Sequence, residues 1–417
     1  MPVNAASSPL LDALKEAVAF QPLGAPAGTV TVGRGTFDGK PLHLALVENR
    51  IASGAIGNAE AKRLGALLQI VARERSALVL FLDSAGAKVS EGLRALGAFR
   101  RVYRDALGAA MAGAPIAAIL GRNCYGGSSM LAHLAQRRLF AAGTQLAMSG
   151  PSILAASAGM NALDEMFRAM AEASIAAPAR AKASNANRVF DDTVAIADWL
   201  RESLSPRAKP AAAFHARHQA LAERFGANRP ANAWEAVRRR DLDKLYPGGY
   251  ETREAAGLIE GSGQAAQGEE RIVGIVGKAP LGTERAWRFA DAAWSLLAAP
   301  PARLRVLLDC ATHAARLDDE RIVLSEYIVG MSLPLALLAA SGTRVELTVV
   351  GEAGGGVYVA LAGPAAHVSA IHGAQIRVLP GSALAAILGE ANEEPASAME
   401  YKAAGVAEEE LRLGIIR

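Results

Sequence analysis

Short apolar runs alternate with longer segments of helical period along most of the chain. Residues 43–47 (HLALV) and 78–82 (LVLFL) read as strands. Residues 59–73 between them place apolar side chains three and four apart, which predicts a helix. Residues 116–120 and 138–141 continue the strand series, with an Ala-rich amphipathic helix at 91–112. A second series follows, with strands at 272–276, 305–308 and 346–350 and helices at 285–297 and 321–341. Apolar runs this short, closed by glycine or aspartate, are what buried strands of a layered α/β fold require. Between the two series, residues 203–232 hold Pro206, Pro210 and Pro230, many basic residues and few β-branched ones. This stretch predicts a surface helix plus linker, and places two domains at 1–230 and 231–417.

The two series share an order of punctuation: strand, aspartate, loop, long helix, strand, glycine cluster, helix. The first pass runs through LFLDSAGAKVSEG (80–92) and AILGRNCYGGSSMLA (118–132), the second through VLLDCATHAARLDDE (306–320) and TVVGEAGGGVYVALA (348–362). Repeated punctuation with low identity predicts two copies of one supersecondary plan.

Composition narrows the function classes. A chain of 417 residues that is 51% hydrophobic and 20% charged is globular. Its formal charge of +3 and 5% aromatic content give no basis for nucleic-acid binding. Two cysteines, Cys124 and Cys310, make neither a thiolate zinc site nor a disulfide framework, which points to a reducing cytoplasm. The first 21 residues lack the basic start and apolar core of an export signal. The uncharged stretch 327–343 contains Gly330, Pro334 and Gly342 and falls short of the roughly 20 residues a membrane span needs.

The chemistry sits at two glycine clusters. Cys124-Tyr125-Gly126-Gly127-Ser128-Ser129 and Ala353-Gly354-Gly355-Gly356-Val357-Tyr358 each follow a strand and open a helix. Glycine lets a ligand approach the backbone, and the first N–H groups of a helix lack internal acceptors, so each cluster suits an anion or a developing oxyanion. Close helix–strand packing without a ligand explains a single cluster equally well. No P-loop or dinucleotide fingerprint competes for these loops. His133, His367 and His372 form no metal-binding pair. Ser128 and Ser129 lack the setting of a nucleophile elbow. Asp83 and Asp309 end strands and are expected to organise the loops that follow.

The motifs resemble a known family. Asp83-Ser84-Ala85-Gly86-Ala87-Lys88-Val89-Ser90-Glu91-Gly92 is similar to the DSGGARxQEG loop of acyl-CoA carboxyltransferase β subunits, and Gly33-Arg34-Gly35-Thr36-Phe37 to their GRGTF segment. Ile51-Ala52-Ser53-Gly54-Ala55-Ile56-Gly57 stands at their FMGGSMG-type loop, and Ser149-Gly150-Pro151 at their SGP segment. Asp164-Glu165-Met166-Phe167 and Arg188-Val189-Phe190-Asp191-Asp192 resemble the β subunit of biotin-independent malonate decarboxylase. The second half resembles that enzyme's γ subunit in residues 274–282, in residues 320–330, in Gly351-Glu352-Ala353-Gly354-Gly355-Gly356 and in Ala374-Gln375-Ile376-Arg377-Val378. The chain thus looks like a β–γ fusion.

The resemblance implies two tandem crotonase-like α/β domains of repeated ββα units, of carboxyltransferase type. It implies backbone oxyanion donors at Gly126, Gly127, Gly356 and Val357, and substrate contacts at Arg34, Gly54, Ser84, Ala85, Gly86, Lys88 and Gly355. For Lys88 and Arg34, ordinary solvated charge is an equally good reading. The implied reaction is decarboxylation of a malonyl thioester, on a carrier protein or CoA, to an acetyl thioester. The substrate arm would be of phosphopantetheine type, with no metal, nucleotide or biotin. Implied partners are an acyl carrier protein, an acyl-carrier transferase subunit and further copies of the chain, with no membrane and no nucleic acid. Arg238-Arg239-Arg240 either meets an acidic carrier or forms a solvated face. A biotin-dependent acyl-CoA carboxyltransferase subunit and a non-catalytic acyl-thioester-binding assembly subunit are the alternatives. Ala85 stands where the family has glycine, and Asp309-Cys310-Ala311-Thr312-His313 replaces a glycine-containing turn, which bears on the geometry of the second donor pair.

Overall fold

The computed structural model of the chain describes residues 9–159, 165–191, 195–205, 209–226, 233–388 and 396–412. Of the positions singled out above, Asp164, Asp192, Pro206 and Pro230 lie outside the described residues. Contacts divide the chain into two compact units. The first comprises Met1–Glu91, Arg101–Ala213 and Ala315–Ser325; the second comprises Gly92–Arg100, Phe214–Ala314 and Glu326–Arg417.

The first unit is built on strands β1 (Gln21–Pro22), β2 (Val30–Phe37), β3 (Lys40–Val47), β4 (Ala77–Ser84), β5 (Ile116–Tyr125), β6 (Arg137–Phe140), β7 (Gln145–Ala147) and β8 (Asn187–Val189). They form one sheet in the order β1-β2-β3-β4-β5-β6-β8, with β7 also paired to β5. From β3 onward the ladders are parallel, while β2 runs antiparallel to β3. Residues 78–82 of β4 are all buried, as expected for a central parallel strand covered on both faces. Helices α1 (Pro9–Ala17), α2 (Asn58–Glu74), α3 (Leu93–Met111), α4 (Gly127–Leu134), α5 (Pro151–Ser157), α6 (Glu165–Ile175), α7 (Ala177–Ala183) and α8 (Ile196–Ser203) follow in chain order. Gly92–Arg100, at the head of α3, clusters with the second unit. In α2, Ala61, Leu64, Leu68 and Val71 recur three and four apart and are buried. Leu10, Leu11 and Leu14 of α1 and Trp199 and Leu200 of α8 share one core with Leu42, Leu44, Val79, Phe81 and Ile119 of the sheet.

The second unit opens with α9 (Pro210–Phe225), most of which it holds, where the sequence predicted a surface helix. Then come β9 (Glu235–Ala236), α10 (Arg240–Leu245), β10 (Tyr250–Ala255), β11 (Leu258–Ala265), β12 (Gly268–Lys278), α11 (Thr283–Ser295) and β13 (Arg303–Cys310). After β13 the short helix α12 (Leu317–Arg321) belongs to the first unit. The chain continues with α13 (Leu324–Ala340), β14 (Arg344–Gly354), α14 (Gly355–Ala362), β15 (His367–Ile371), β16 (Gln375–Arg377), α15 (Gly381–Leu388), α16 (Ala398–Ala404) and β17 (Glu409–Leu411). The sheet order is β17-β15-β14-β13-β12-β11-β10-β9, with β16 also paired to β14. The antiparallel step β11–β12 followed by parallel β12, β13, β14 and β15 repeats the plan of β2 to β6. No helix among the described residues is long and apolar enough to cross a membrane.

Both sheets share an irregularity. In the first, Leu82 pairs with Leu120 but Ser84 with Cys124, so β5 holds two more residues than β4 between paired positions. In the second, Leu308 pairs with Val349 and Cys310 with Ala353, the same two-residue slip. Beyond the slip each strand changes neighbour, β5 from β6 to β7 and β14 from β15 to β16. An aspartate fastens each slip. Asp83 Oδ1 accepts the Asn123 N–H at 3.1 Å, and Asp309 Oδ1 accepts the Glu352 N–H at 2.8 Å. A Cβ on Gly121 would lie 2.5 Å from the Asp83 side chain, and one on Gly351 2.1 Å from that of Asp309, so glycine makes room for the carboxylate in both.

Candidate functional site

In the first unit the slip delivers the glycine cluster to the C-terminal end of the parallel strands. Gly126 caps α4 with φ 53° and ψ −129°, torsions that an L side chain resists. Its N–H is held by the carbonyls of Ala147 and Met148, both at 3.2 Å. The N–H that the resemblance gives as a donor to substrate is thus bonded within the chain. The next N–H is that of Gly127, the first residue of α4, where a helix has no internal acceptor.

A second loop lies against this turn. Ala85 N–H bonds to Ser53 O at 2.9 Å, Ile56 N–H to Gly86 O at 2.8 Å and Lys88 N–H to Ile56 O at 3.0 Å, zipping residues 53–56 to residues 85–88. Gly54 (φ 69°) has no room for a side chain, since a Cβ would stand 2.1 Å from the Asp83 carbonyl. Gly86 (φ 99°) approaches the cluster closely; a Cβ there would be 2.8 Å from Tyr125 O and 3.4 Å from Gly127 N. The fully buried Ser84 hydroxyl accepts from Gly86 N–H at 3.1 Å and from Ser128 Oγ at 2.7 Å. Ser129 Oγ donates to Gly126 O at 2.6 Å. These hydroxyls hold loops together and are not set as nucleophiles.

Gly54, Ser84, Ala85, Gly86, Gly126 and Gly127 therefore converge, whereas the two expected cations, Lys88 and Arg34, are placed differently. Lys88 contributes its backbone, but its ammonium pairs with Glu91 at 3.2 Å. Arg34 is exposed on β2, opposite His43, which in turn pairs with Leu78. Leu78 lies six residues before Ser84 on β4, a separation of about 20 Å at strand rise. Arg34 thus belongs to the other end of the strands.

The second unit repeats the frame with different side chains. Leu281 N–H bonds to Thr312 O at 2.9 Å and Ala314 N–H to Leu281 O at 2.8 Å, matching the Ile56 pairing. Gly355 (φ 54°) matches Gly126, and the buried Gly356 and Val357 follow it in α14. Where Gly86 stands in the first unit, the second has Thr312. A Cβ on Gly355 would lie 3.6 Å from Thr312 Oγ1 and 3.7 Å from His313 Nδ1. The altered turn keeps its backbone pairing and adds two polar side chains beside the helix start. Arg238 and Arg239 of the basic run pair with Asp243, and with Asp241 and Glu254, respectively.

Two features escaped the sequence reading. Tyr125 stacks its ring edge over Gly150, and its hydroxyl bonds to Gln145 and to Asn123. Glu320, fully buried in the first unit, receives the Ser149 N–H at 2.8 Å. Burial pushes its carboxyl up to about 7, with Arg180 opposing. Neither residue stands in a motif that marks a buried partner. Among the described residues, no group of three or more His, Cys, Asp or Glu is placed to hold a metal ion.

The family model described as carboxyl transferase domain matches residues 3–280. Acetyl-coenzyme A carboxylase carboxyl transferase subunit beta of Synechococcus sp. (strain JA-3-3Ab) is 26% identical over 140 residues, 33% of this chain and 45% of that protein. The methylmalonyl-CoA carboxyltransferase 12S subunit of Propionibacterium freudenreichii subsp. shermanii is 25% identical over 135 residues, 32% of this chain and 25% of the relative. The chain thus spans less than half the length of these curated relatives. Among solved structures, a Pseudomonas malonate decarboxylase hetero-tetramer in complex with malonate matches 53% of this chain and 91% of its own, at 20% identity and TM-score 0.43.

Proposed function

Because this chain belongs to the carboxyl transferase domain family, we propose that it passes a malonyl thioester through an enolate and releases carbon dioxide. The C–C bond to the carboxylate breaks, and its electron pair moves onto the thioester carbonyl oxygen. The N–H of Gly127 receives that oxygen, and protonation at carbon gives the acetyl thioester. One donor of this kind is worth roughly 2.7–4 kcal/mol. The observation that carries the reading is the Gly126 turn: its own N–H is tied down, and the next N–H is left open at a helix start beside Gly86. The resemblance gives Gly356 and Val357 as the donors of the second unit; by position Gly356, next after Gly355, is the counterpart of Gly127, and either N–H suits a carboxylate or a second carbonyl oxygen.

Decarboxylation is favoured over transfer by the resemblance of residues 351–356 and 374–378 to the γ subunit of biotin-independent malonate decarboxylase. On this reading the domains at 1–230 and 231–417 correspond to fused β and γ subunits. The substrate then rides on a phosphopantetheine-type arm of a carrier protein, loaded by a transferase subunit. The curated relatives support a second reading, carboxyl transfer between biotin and an acyl-CoA.

Purified full-length protein mixed with malonyl-CoA, and separately with a malonyl-carrier protein, decides the matter. Release of carbon dioxide with formation of acetyl thioester, without biotin, is the expected result. Turnover that appears only when carboxybiotin or a biotinylated carrier is present overturns decarboxylation in favour of transfer.

A further inference from the structure

Glu320 is set apart by the peptide groups it holds. Its carboxylate accepts the Ser149 N–H at 2.8 Å, and the Met148 N–H nearby also favours its ionised form. The Ser149 N–H shares a peptide plane with the Met148 carbonyl, and the Met148 N–H shares one with the Ala147 carbonyl. Those two carbonyls are the ones that take the Gly126 N–H, each at 3.2 Å. One carboxylate thus orients both peptides that orient Gly126. Negative charge on the N–H side of a peptide also polarises its carbonyl and strengthens the next bond in the series.

The carboxylate is itself fixed from behind. Arg180, fully buried on α7, sends Nε to Leu146 O at 2.8 Å and Nη1 to the Glu320 carbonyl at 2.6 Å. Its Nη2 stands 3.6 Å from Glu320 Oε2. Removing one partner of such a buried pair leaves an uncompensated charge. Of the other charges nearby, Asp319 precedes Glu320 on the same helix and is bonded to Arg316 at 2.7 Å. Helix α6 packs on α12 and carries Glu165, Arg168 and Glu172, all exposed, as is Lys182 on α7. Among the described residues, Arg180 is thus the cation that meets Glu320 in the interior.

We propose that Glu320 is the positioning residue of the first donor turn, holding Gly126, and through it the N–H of Gly127, by way of the 147–148 and 148–149 peptides. Its catalytic consequence rests on the role assigned above to Gly127; its structural content does not. The ionised carboxylate accepts the Ser149 N–H and is favoured by the Met148 N–H, so loss of its charge slackens the turn.

Tyr–Gly occurs once in the sequence, at Tyr125-Gly126. Full-length protein labelled with carbonyl-13C tyrosine and 15N glycine therefore gives a single doubly coupled amide signal, that of Gly126. The expected result is a Gly126 shift that titrates near neutral pH in the wild type and is flat in Glu320→Gln. At pH 8 the variant signal is displaced from that of the wild type. A wild-type signal that stays fixed from pH 5.5 to 8.5 overturns the proposal, and needs no variant to fold. A titration that persists unchanged in folded Glu320→Gln overturns it as well. With malonyl-CoA as substrate, kcat of the variant is expected to fall on the order of 10- to 100-fold, as for a small misplacement of a catalytic group, with KM little changed. If malonyl-CoA is not turned over at all while the Gly126 signal behaves as expected, the decarboxylase reading fails and the positioning role stands.

Discussion

The hydroxyls of Ser128 and Ser84, residues 44 apart in sequence, meet at 2.7 Å in a fully buried position. Ser128 donates, and Ser84 also accepts from the Gly86 N–H. The bond ties the first turn of α4 to the loop after β4, the two backbone segments that frame the Gly127 donor.

The two serines should therefore differ on mutation. Ser84→Ala leaves the Gly86 N–H without its acceptor and is expected to cost about 1–3 kcal/mol in urea unfolding, whereas Ser128→Ala should cost about 1 kcal/mol. Ser128→Ala should keep substantial turnover. If it abolishes activity in a protein with unchanged melting temperature, the hydroxyl is a nucleophile and the enolate reading is wrong.

Glycine variants separate backbone strain from blocked approach. An alanine Cβ at Gly126 finds open space, its nearest neighbour at 3.9 Å, so Gly126→Ala acts through torsion, about 1–3 kcal/mol. A turn relaxed away from φ 53° no longer aims the Gly127 N–H, and kcat should drop by about 10²–10³. Gly127→Val sits in the first helical turn and should retain its melting temperature while losing activity, because a β-branched side chain covers the donor. Equal turnover by Gly127→Val and wild type would remove that N–H from the mechanism.

Stability and turnover should respond to pH in opposite senses across one window. Burial raises the Glu320 carboxyl from 4.5 to about 7 in the folded protein. A folded pKa above the unfolded one contributes stability that is complete below about 4.5 and is lost as pH rises through about 7. The difference in urea midpoint between wild type and Glu320→Gln should shrink or reverse over that range. Turnover, which needs the ionised carboxylate, should rise over it. A difference in midpoint that grows with pH contradicts this assignment.

The two thiols should be silent in the native protein. Cys124 and Cys310 are both fully buried, and burial pushes both thiols up from their ordinary value. Since the thiolate is the reactive form, a disulfide reagent at pH 7.5 should label neither until urea is added. Prompt labelling of either without denaturant would show that its strand end opens.

What the sequence disclosed follows from chemistry that is local. The runs at 78–82 and, after Arg305, at 306–308 announce central strands because both faces are apolar, and paired glycines before apolar helices announce Gly126 and Gly355. The polar tail of β5, Gly121 to Tyr125, reads as loop, yet it is strand, because its partner beyond the slip is the three-residue β7. Arg34 was expected at the site through the GRGTF resemblance, and no local signal tells which end of an antiparallel strand lies near the donors. Lys88 had a carboxylate three residues on, and the 3₁₀ turn at Val89–Glu91 closes that pair. Glu320 was illegible for another reason: its partners Ser149 and Arg180 lie 171 and 140 residues away.

The two-residue slip in β5 and β14 makes each of these strands serve two masters along its length. Its first half is locked into the long ladder; its second half has a three-residue strand, β7 or β16, on one side and a single pairing beyond the slip on the other. Substitutions in β7 or β16 can thus re-aim the donor turns while the main ladder stays registered. Evolution of substrate preference has a ready place to act at Gln145, Gln375 and Arg377, the half-buried positions of those short strands, while Leu146, Ala147 and Ile376 stay bound to the core.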